Sequence, residues 1–163
     1  MRNKIKDKVI NWNGNKLRIR LMQKKDEKIF IDFLENLSEK SKNSFQPHAF
    51  DLDTVKKIID ELYIDIDIMR FLTIEENSGK VIAYNFFWSL RNEYPSFGIG
   101  ISDNYQGKGL GEILINHFIE VAKSLGKKGI NLSLFKYNER AYKLYLKMGF
   151  KVIEAYSMIL EFK

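Results

Sequence analysis

The chain has 163 residues, 45% hydrophobic and 13% aromatic, enough to bury the core of one domain spanning residues 1–163, and its formal net charge of +6 favours an anionic ligand or partner. It contains no cysteine, which excludes disulfides, thiolate metal sites and a cysteine acyl-enzyme, and which suits a reducing, cytoplasmic setting. No apolar run approaches the roughly 18 residues of a membrane span, the basic N-terminus lacks a signal-peptide core, and Lys and Arg form no dense arm, so neither a membrane nor nucleic acid is an expected partner.

In chain order, Asn13-Gly14 separates two strand-like runs, Val9 to Trp12 and Lys16 to Met22, and favours a type I′ turn, so the chain opens with a hairpin. Ile29, Phe30, Phe33, Leu34 and Leu37 recur at helical spacing and predict an amphipathic helix over 26–39. The stretch from Ser38 to Asp51 reads as a polar, then aromatic surface loop broken by Pro47, after which Asp51 or Asp53 caps a second helix ending at Leu62. Met69 to Glu75 and Val81 to Leu90, joined by Asn77-Ser78-Gly79-Lys80, predict a second hairpin. Glu93-Tyr94-Pro95 then turns the chain into a strand over 96–101.

The stretch from Ser96 to Leu125 is the part with chemistry in it. A period-two strand enters a turn in which Gly107, Gly109 and Gly111 carry no Cβ, and a helix begins inside that turn, so several unpaired amides converge on one point. Such a cradle suits a phosphate. Leu110, Ile113, Leu114, His117, Phe118 and Val121 line one face of the helix, and Gly126 ends it. Gly129 to Phe135 is a strand, expected parallel to the one before the turn because a helix-sized connection joins them. A last helix over 138–148, stopped by Gly149, precedes a C-terminal hairpin turning near Glu154 or Ala155. The reading is one α/β fold with helices on both faces of a mixed sheet.

Two common phosphate motifs do not fit. The dinucleotide fingerprint wants a small residue where Glu112 stands, and the P-loop wants Ser or Thr where Gly109 follows Lys108.

The run from Ile101 to Gly111, with Gln106-Gly107-Lys108-Gly109-Leu110-Gly111, resembles the acetyl-CoA signature of the GNAT N-acetyltransferase superfamily. The block from Asn138 to Phe150, with Ala141, Leu144-Tyr145, Lys147 and Gly149-Phe150, is similar to that family's second motif. The resemblance covers about Val81 to Phe150 and implies a mixed, mostly antiparallel sheet of about six or seven strands flanked by about four helices. It implies acetyl-CoA as co-substrate, no metal, and transfer of an acetyl group to a primary amine by direct attack in a ternary complex. The alternative is a non-catalytic module that binds or senses acyl-CoA.

The residue roles it implies are these. The backbone of Gln106, Gly107, Lys108, Gly109, Leu110 and Gly111 binds the cofactor diphosphate, Ile99 and Ile101 offer backbone groups to the pantetheine arm, and Asn138 and Arg140 also touch the cofactor. Tyr145 is the general acid, with Tyr142 as its rival. A phenol stays protonated near neutrality, with a reference pKa near 10 against about 8.5 for the thiol it protonates. For the general base, Glu93 at the entry to the opening strand is the candidate and His48 the alternative. The acceptor is open among polyamine, peptide amine and amino sugar, and a homodimer is an open option.

Overall fold

A computed structural model describes residues 2–163. It contains one sheet of eight strands, in the order β1-β2-β3-β4-β5-β6-β8-β7. The strands are β1 Lys8–Trp12, β2 Asn15–Leu21, β3 Met69–Glu75, β4 Val81–Trp88, β5 Ser96–Ile101, β6 Gly129–Ser133, β7 Lys151–Glu154 and β8 Ser157–Glu161. The helices are α1 Glu27–Glu35, α2 Glu39–Ser44, α3 Leu52–Glu61, α4 Leu110–Ser124 and α5 Glu139–Lys147. All neighbouring strands pair antiparallel except β5 and β6. Strand and helix counts each exceed the sequence expectation by a small margin, because the short C-terminal segment closes into a complete hairpin and because α2 exists.

The opening hairpin turns at Asn13 and Gly14, both at positive φ, as the Asn-Gly pair demands. Between α1 and α3 the expected loop is partly helical: the Ser38 hydroxyl accepts a hydrogen bond from the Ser41 amide and starts α2, which sequence periodicity misses because this short helix buries nothing. Asp51, rather than Asp53, caps α3.

Two apolar layers sandwich the sheet. On one face Leu110, Leu114, Phe118 and Ala122 of α4 pack on Phe71, Phe87, Phe97 and Ile130, with Tyr145 of α5 in the same cluster. On the other, Phe30, Phe33 and Leu34 of α1 and Val55, Ile58 and Ile59 of α3 pack on Leu72, Tyr84 and Phe86. The buried Asp26, 2% exposed, holds α1 to the sheet through a bidentate pair with Arg20 at 2.6 and 2.7 Å.

Gly98 and Gly100 of β5 serve packing. A Cβ on Gly98 would stand 2.0 Å from the Phe86 ring, and one on Gly100 would stand 2.4 Å from the Phe45 ring. Two aromatic rings thus lie directly on the β5 backbone. Gly98→Ala is expected to push Phe86 off the strand and lower unfolding free energy by about 1–3 kcal/mol, read from the denaturant midpoint.

Candidate active site

β5 and β6 form a parallel pair with a single rung, Ser96 opposite Asn131. That rung is unusually well tied. The Asn131 amide donates to the Pro95 carbonyl at 3.1 Å, its side-chain Nδ2 donates to the Tyr94 carbonyl at 2.9 Å, and its Oδ1 accepts from the Ser96 hydroxyl at 2.8 Å. Beyond it the strands part.

Alternation then decides which backbone groups are free. The Ser102 amide donates to the Ile82 carbonyl, and the β4–β5 register places Gly100 opposite Tyr84 and Gly98 opposite Phe86. The even-numbered residues of β5 therefore bond to β4, and Phe97, Ile99 and Ile101 turn their backbone N–H and C=O groups toward the gap. Two hydrogen bonds agree with this assignment: the Pro95 carbonyl meets β6, and the Ile101 carbonyl accepts from Gln106 Nε2 at 2.8 Å. The side chains of Ile99 and Ile101 pack on the α4 side of the sheet.

At the open end of the gap lies the glycine turn. Gly107 and Gly109 sit at φ +73° and +82°, the left-handed region that glycine enters freely, and Gly109 is the residue preceding α4. The amides from Gly107 to Glu112 have no hydrogen-bond acceptor among the described residues, whereas the next one, Ile113, bonds back to the Gly109 carbonyl. They form a row of donors at a helix N-terminus, where the macrodipole adds positive potential. The side chain of Leu110 is buried in the core, so only its backbone faces this row.

The flanking side chains are partly committed. Gln106 Nε2 holds the Ile101 carbonyl and the Ser41 hydroxyl, so this side chain braces the turn against β5 and α2. Asp103 accepts from the Ser38 amide at 3.0 Å and from the Ser38 and Ser41 hydroxyls at 2.5 and 2.8 Å; desolvation pushes its carboxyl up, but these bonds together outweigh it and hold the group below the ordinary aspartate range. Lys108 Nζ donates to the Asn104 carbonyl at 2.7 Å. Arg140 reaches the turn: its guanidinium stands 2.5 Å from where a Gly107 Cβ would be.

α5 packs on the start of α4 through Leu144 against Gly111 and through an ion pair of Lys147 with Glu112 at 2.6 Å. Asn138 caps α5, its Oδ1 accepting from the Ala141 amide at 3.3 Å. Tyr145 is buried, with its ring centroid 5.2 Å from that of Phe150, and no hydrogen bond contributes to the environment of its hydroxyl among the described residues. Burial pushes this phenol above its ordinary pKa. Tyr142, by contrast, is exposed on the outer side of α5.

Glu93 lies at the entry to β5, where the sequence reading puts it. Its carboxylate forms an exposed ion pair with Lys128 at 2.7 Å, and its carbonyl accepts from the Lys128 amide, which fixes it ahead of β5 at the end of the strand remote from the glycine turn. His48 is wedged among Phe30, Phe50 and Tyr84, with Nδ1 at 2.7 Å from the Ala49 carbonyl, and burial lowers its pKa so that it stays neutral. Ahead of β3, Asp65 accepts from the Asp67 amide and Asp67 accepts from the Arg91 amide.

Three features escaped the sequence reading: the Asn131 clasp, the paired glycines beneath Phe86 and Phe45, and α2, whose Asn43 carbonyl accepts from Tyr137 Oη at 2.7 Å from the segment after β6. Each depends on residues far apart in the chain. Only the Gly-x-Gly spacing on β5 was a visible signal.

The sequence model of the Acetyltransferase (GNAT) family matches residues 31–150, and the chain belongs to that family. A curated relative, the uncharacterized N-acetyltransferase YdgE of Bacillus subtilis (strain 168), is 26% identical over a match covering 45% of this chain and 59% of that protein. The match thus spans somewhat over half the length of that relative. Among solved structures, the GNAT domain of S. lividans PAT superposes with a TM-score of 0.77 at 18% identity, covering 96% of each chain. Ribosomal-protein-S5-alanine acetyltransferase from Vibrio fischeri gives 0.77 at 16% identity, covering 95% of each. A chimera of spermidine N-acetyltransferase SpeG from Vibrio cholerae gives 0.71 at 20% identity, covering 89% of this chain and 95% of that one. At these identities the likeness is one of fold.

Ser96→Ala is expected to leave Asn131 Oδ1 without its donor and cost about 1–2 kcal/mol in a denaturant titration, while Ser96→Thr, which retains the hydroxyl, stays close to the parent.

Proposed function

We propose that residues 1–163 act as one cytoplasmic unit, an acetyl-CoA-dependent N-acetyltransferase that acylates a primary amine by direct attack within a ternary complex. The observation that carries this reading is the unpaired edge of β5, which opens onto the row of free amides from Gly107 to Glu112. A diphosphate fits that row without a metal, and the sheet gap suits an extended amide-bearing arm that pairs as a strand would.

In this reading the amides of Gly107 to Gly111 hold the diphosphate, with Arg140 above the turn and Lys108 at its rim adding charge. The backbone groups of Ile99 and Ile101 hydrogen-bond the pantetheine arm and orient the acyl carbonyl, and an amide of β5 near Ile101 serves as oxyanion donor. Gln106 acts from behind by fixing the Ile101 carbonyl and the turn together. Asn138 sets the start of α5 and so the line of Tyr145. When bound, acetyl-CoA supplies an acetyl group as a thioester, whose C–S bond breaks as the new C–N bond forms.

The proton ledger constrains Tyr145. Burial raises its pKa, whereas a thiol titrates near 8.5, so complete transfer from the phenol to the thiolate runs uphill. Tyr145 is therefore best used as a hydrogen-bond donor to sulfur in the transition state, with the lost amine proton balancing the thiol through water. The amine proton leaves through water, with Glu93 at the entry to β5 as the candidate base. The acceptor panel to test is set by the structural neighbours' printed names, spermidine and an alanine-bearing ribosomal-protein peptide, with an amino sugar as the third class.

Thiol release from acetyl-CoA should accelerate with at least one of these amines, whereas binding of acetyl-CoA with no acceleration by any amine would identify a sensing module instead. Tyr145→Phe should lower kcat about 100-fold while leaving acetyl-CoA affinity unchanged. Because its pKa is raised, ionisation of Tyr145 should produce no fall in rate on the alkaline side up to about pH 10.

A further inference from the structure

α2 buries no side chain, yet hydrogen bonds tie it to segments on both sides of the β5–β6 gap. Toward β5 the ties are several. Asp103 accepts from the Ser38 amide and from the Ser38 and Ser41 hydroxyls, Gln106 Nε2 donates to Ser41 Oγ at 3.0 Å, and Phe45, which directly follows α2, lies on Gly100. Toward β6 a single hydrogen bond is made among the described residues. Tyr137 Oη donates at 2.7 Å to the Asn43 carbonyl, one of the acceptors that a helix leaves free in its last turn. The Tyr137 ring is 62% exposed and stacks on Phe135 at a centroid distance of 5.6 Å.

β5 and β6 run parallel, so the segments that follow them, residues 102–106 and 134–138, leave the sheet at the same end, where the strands have parted. The bond from Tyr137 to α2 therefore crosses the mouth of the gap. Phe45 fixes the face on which it crosses: Gly100 stands opposite Tyr84, so the ring above it lies on the side covered by α1 and α3. The free amides of the glycine turn open α4, which packs on the other face. An extended arm passing from those amides into the gap thus runs between the N-terminus of α4 and the Tyr137–Asn43 bridge. β5 flanks it on one side and the segment after β6 on the other.

We propose, on the coenzyme A reading of the gap, that Tyr137 is a cofactor-retaining residue: its bond to α2 closes the mouth of the gap over the pantetheine arm, and breaking that bond opens a sideways exit. α2 stays with β5, where most of its bonds lie, and the one exposed bond to Tyr137 is the one that yields. Bound radiolabelled acetyl-CoA, chased with an excess of the unlabelled compound, should leave Tyr137→Phe about 3–10 times faster than the parent protein, the factor set by loss of one neutral hydrogen bond. Tyr137→Phe keeps the ring on Phe135 and removes only an exposed hydroxyl, so its thermal midpoint should match that of the parent. A release rate indifferent to Tyr137→Phe overturns the proposal and leaves the coenzyme reading standing. Faster release accompanied by a lowered midpoint also overturns it, because that marks a general loosening of the fold. A parent protein that binds no acetyl-CoA overturns both the retaining role and the reading beneath it.

Discussion

The divergence of β5 from β6 after a single rung is the constraint on which the site depends. A strand in the middle of a sheet normally spends every backbone N–H and C=O on its neighbours, and leaving such groups unpaired in a packed interior is costly. Here the cost is confined. Asn131 concentrates three hydrogen bonds at Ser96, Pro95 and Tyr94, so the strands are locked at one point, and Gln106 takes up the Ile101 carbonyl at the other end. What is left between is a short row of groups at Ile99 and Ile101, aimed into a gap that a strand-like ligand can fill.

The glycine turn continues the same logic. A helix beginning directly after a left-handed Gly109 leaves its first amides without acceptors among the described residues. α5 is fitted against this turn closely, with Leu144 on Gly111 and Arg140 on Gly107, so the two glycines also serve as contact points between helices. The binding surface and the helix carrying Tyr145 are thereby one packed unit. In the proposed reaction that coupling sets the phenol relative to the acyl group.

Much of this was legible in the chain, and the limits have physical causes. Hairpins announced themselves through Asn13-Gly14 and Asn77 to Lys80, and α4 through its apolar face, because these signals are local. The turn from Gln106 to Gly111 and the block from Asn138 to Phe150 were readable for the same reason. α2 was not, since it buries no side chain and rests on Ser38 and Asp103, 65 residues apart. The ion pair of Glu93 was hidden on a similar ground: its partner Lys128 comes from beyond α4, and no spacing within the strand entry reveals it.

Hydrogen exchange, followed amide by amide with and without acetyl-CoA, tests the central claim most directly. The account predicts slowed exchange at the amides of Ile99, Ile101 and Gly107 to Gly111, with little change at Gly98 and Gly100, whose amides already bond to β4. Protection at the even-numbered positions instead, or none anywhere in β5 and the turn at saturating ligand, would contradict it.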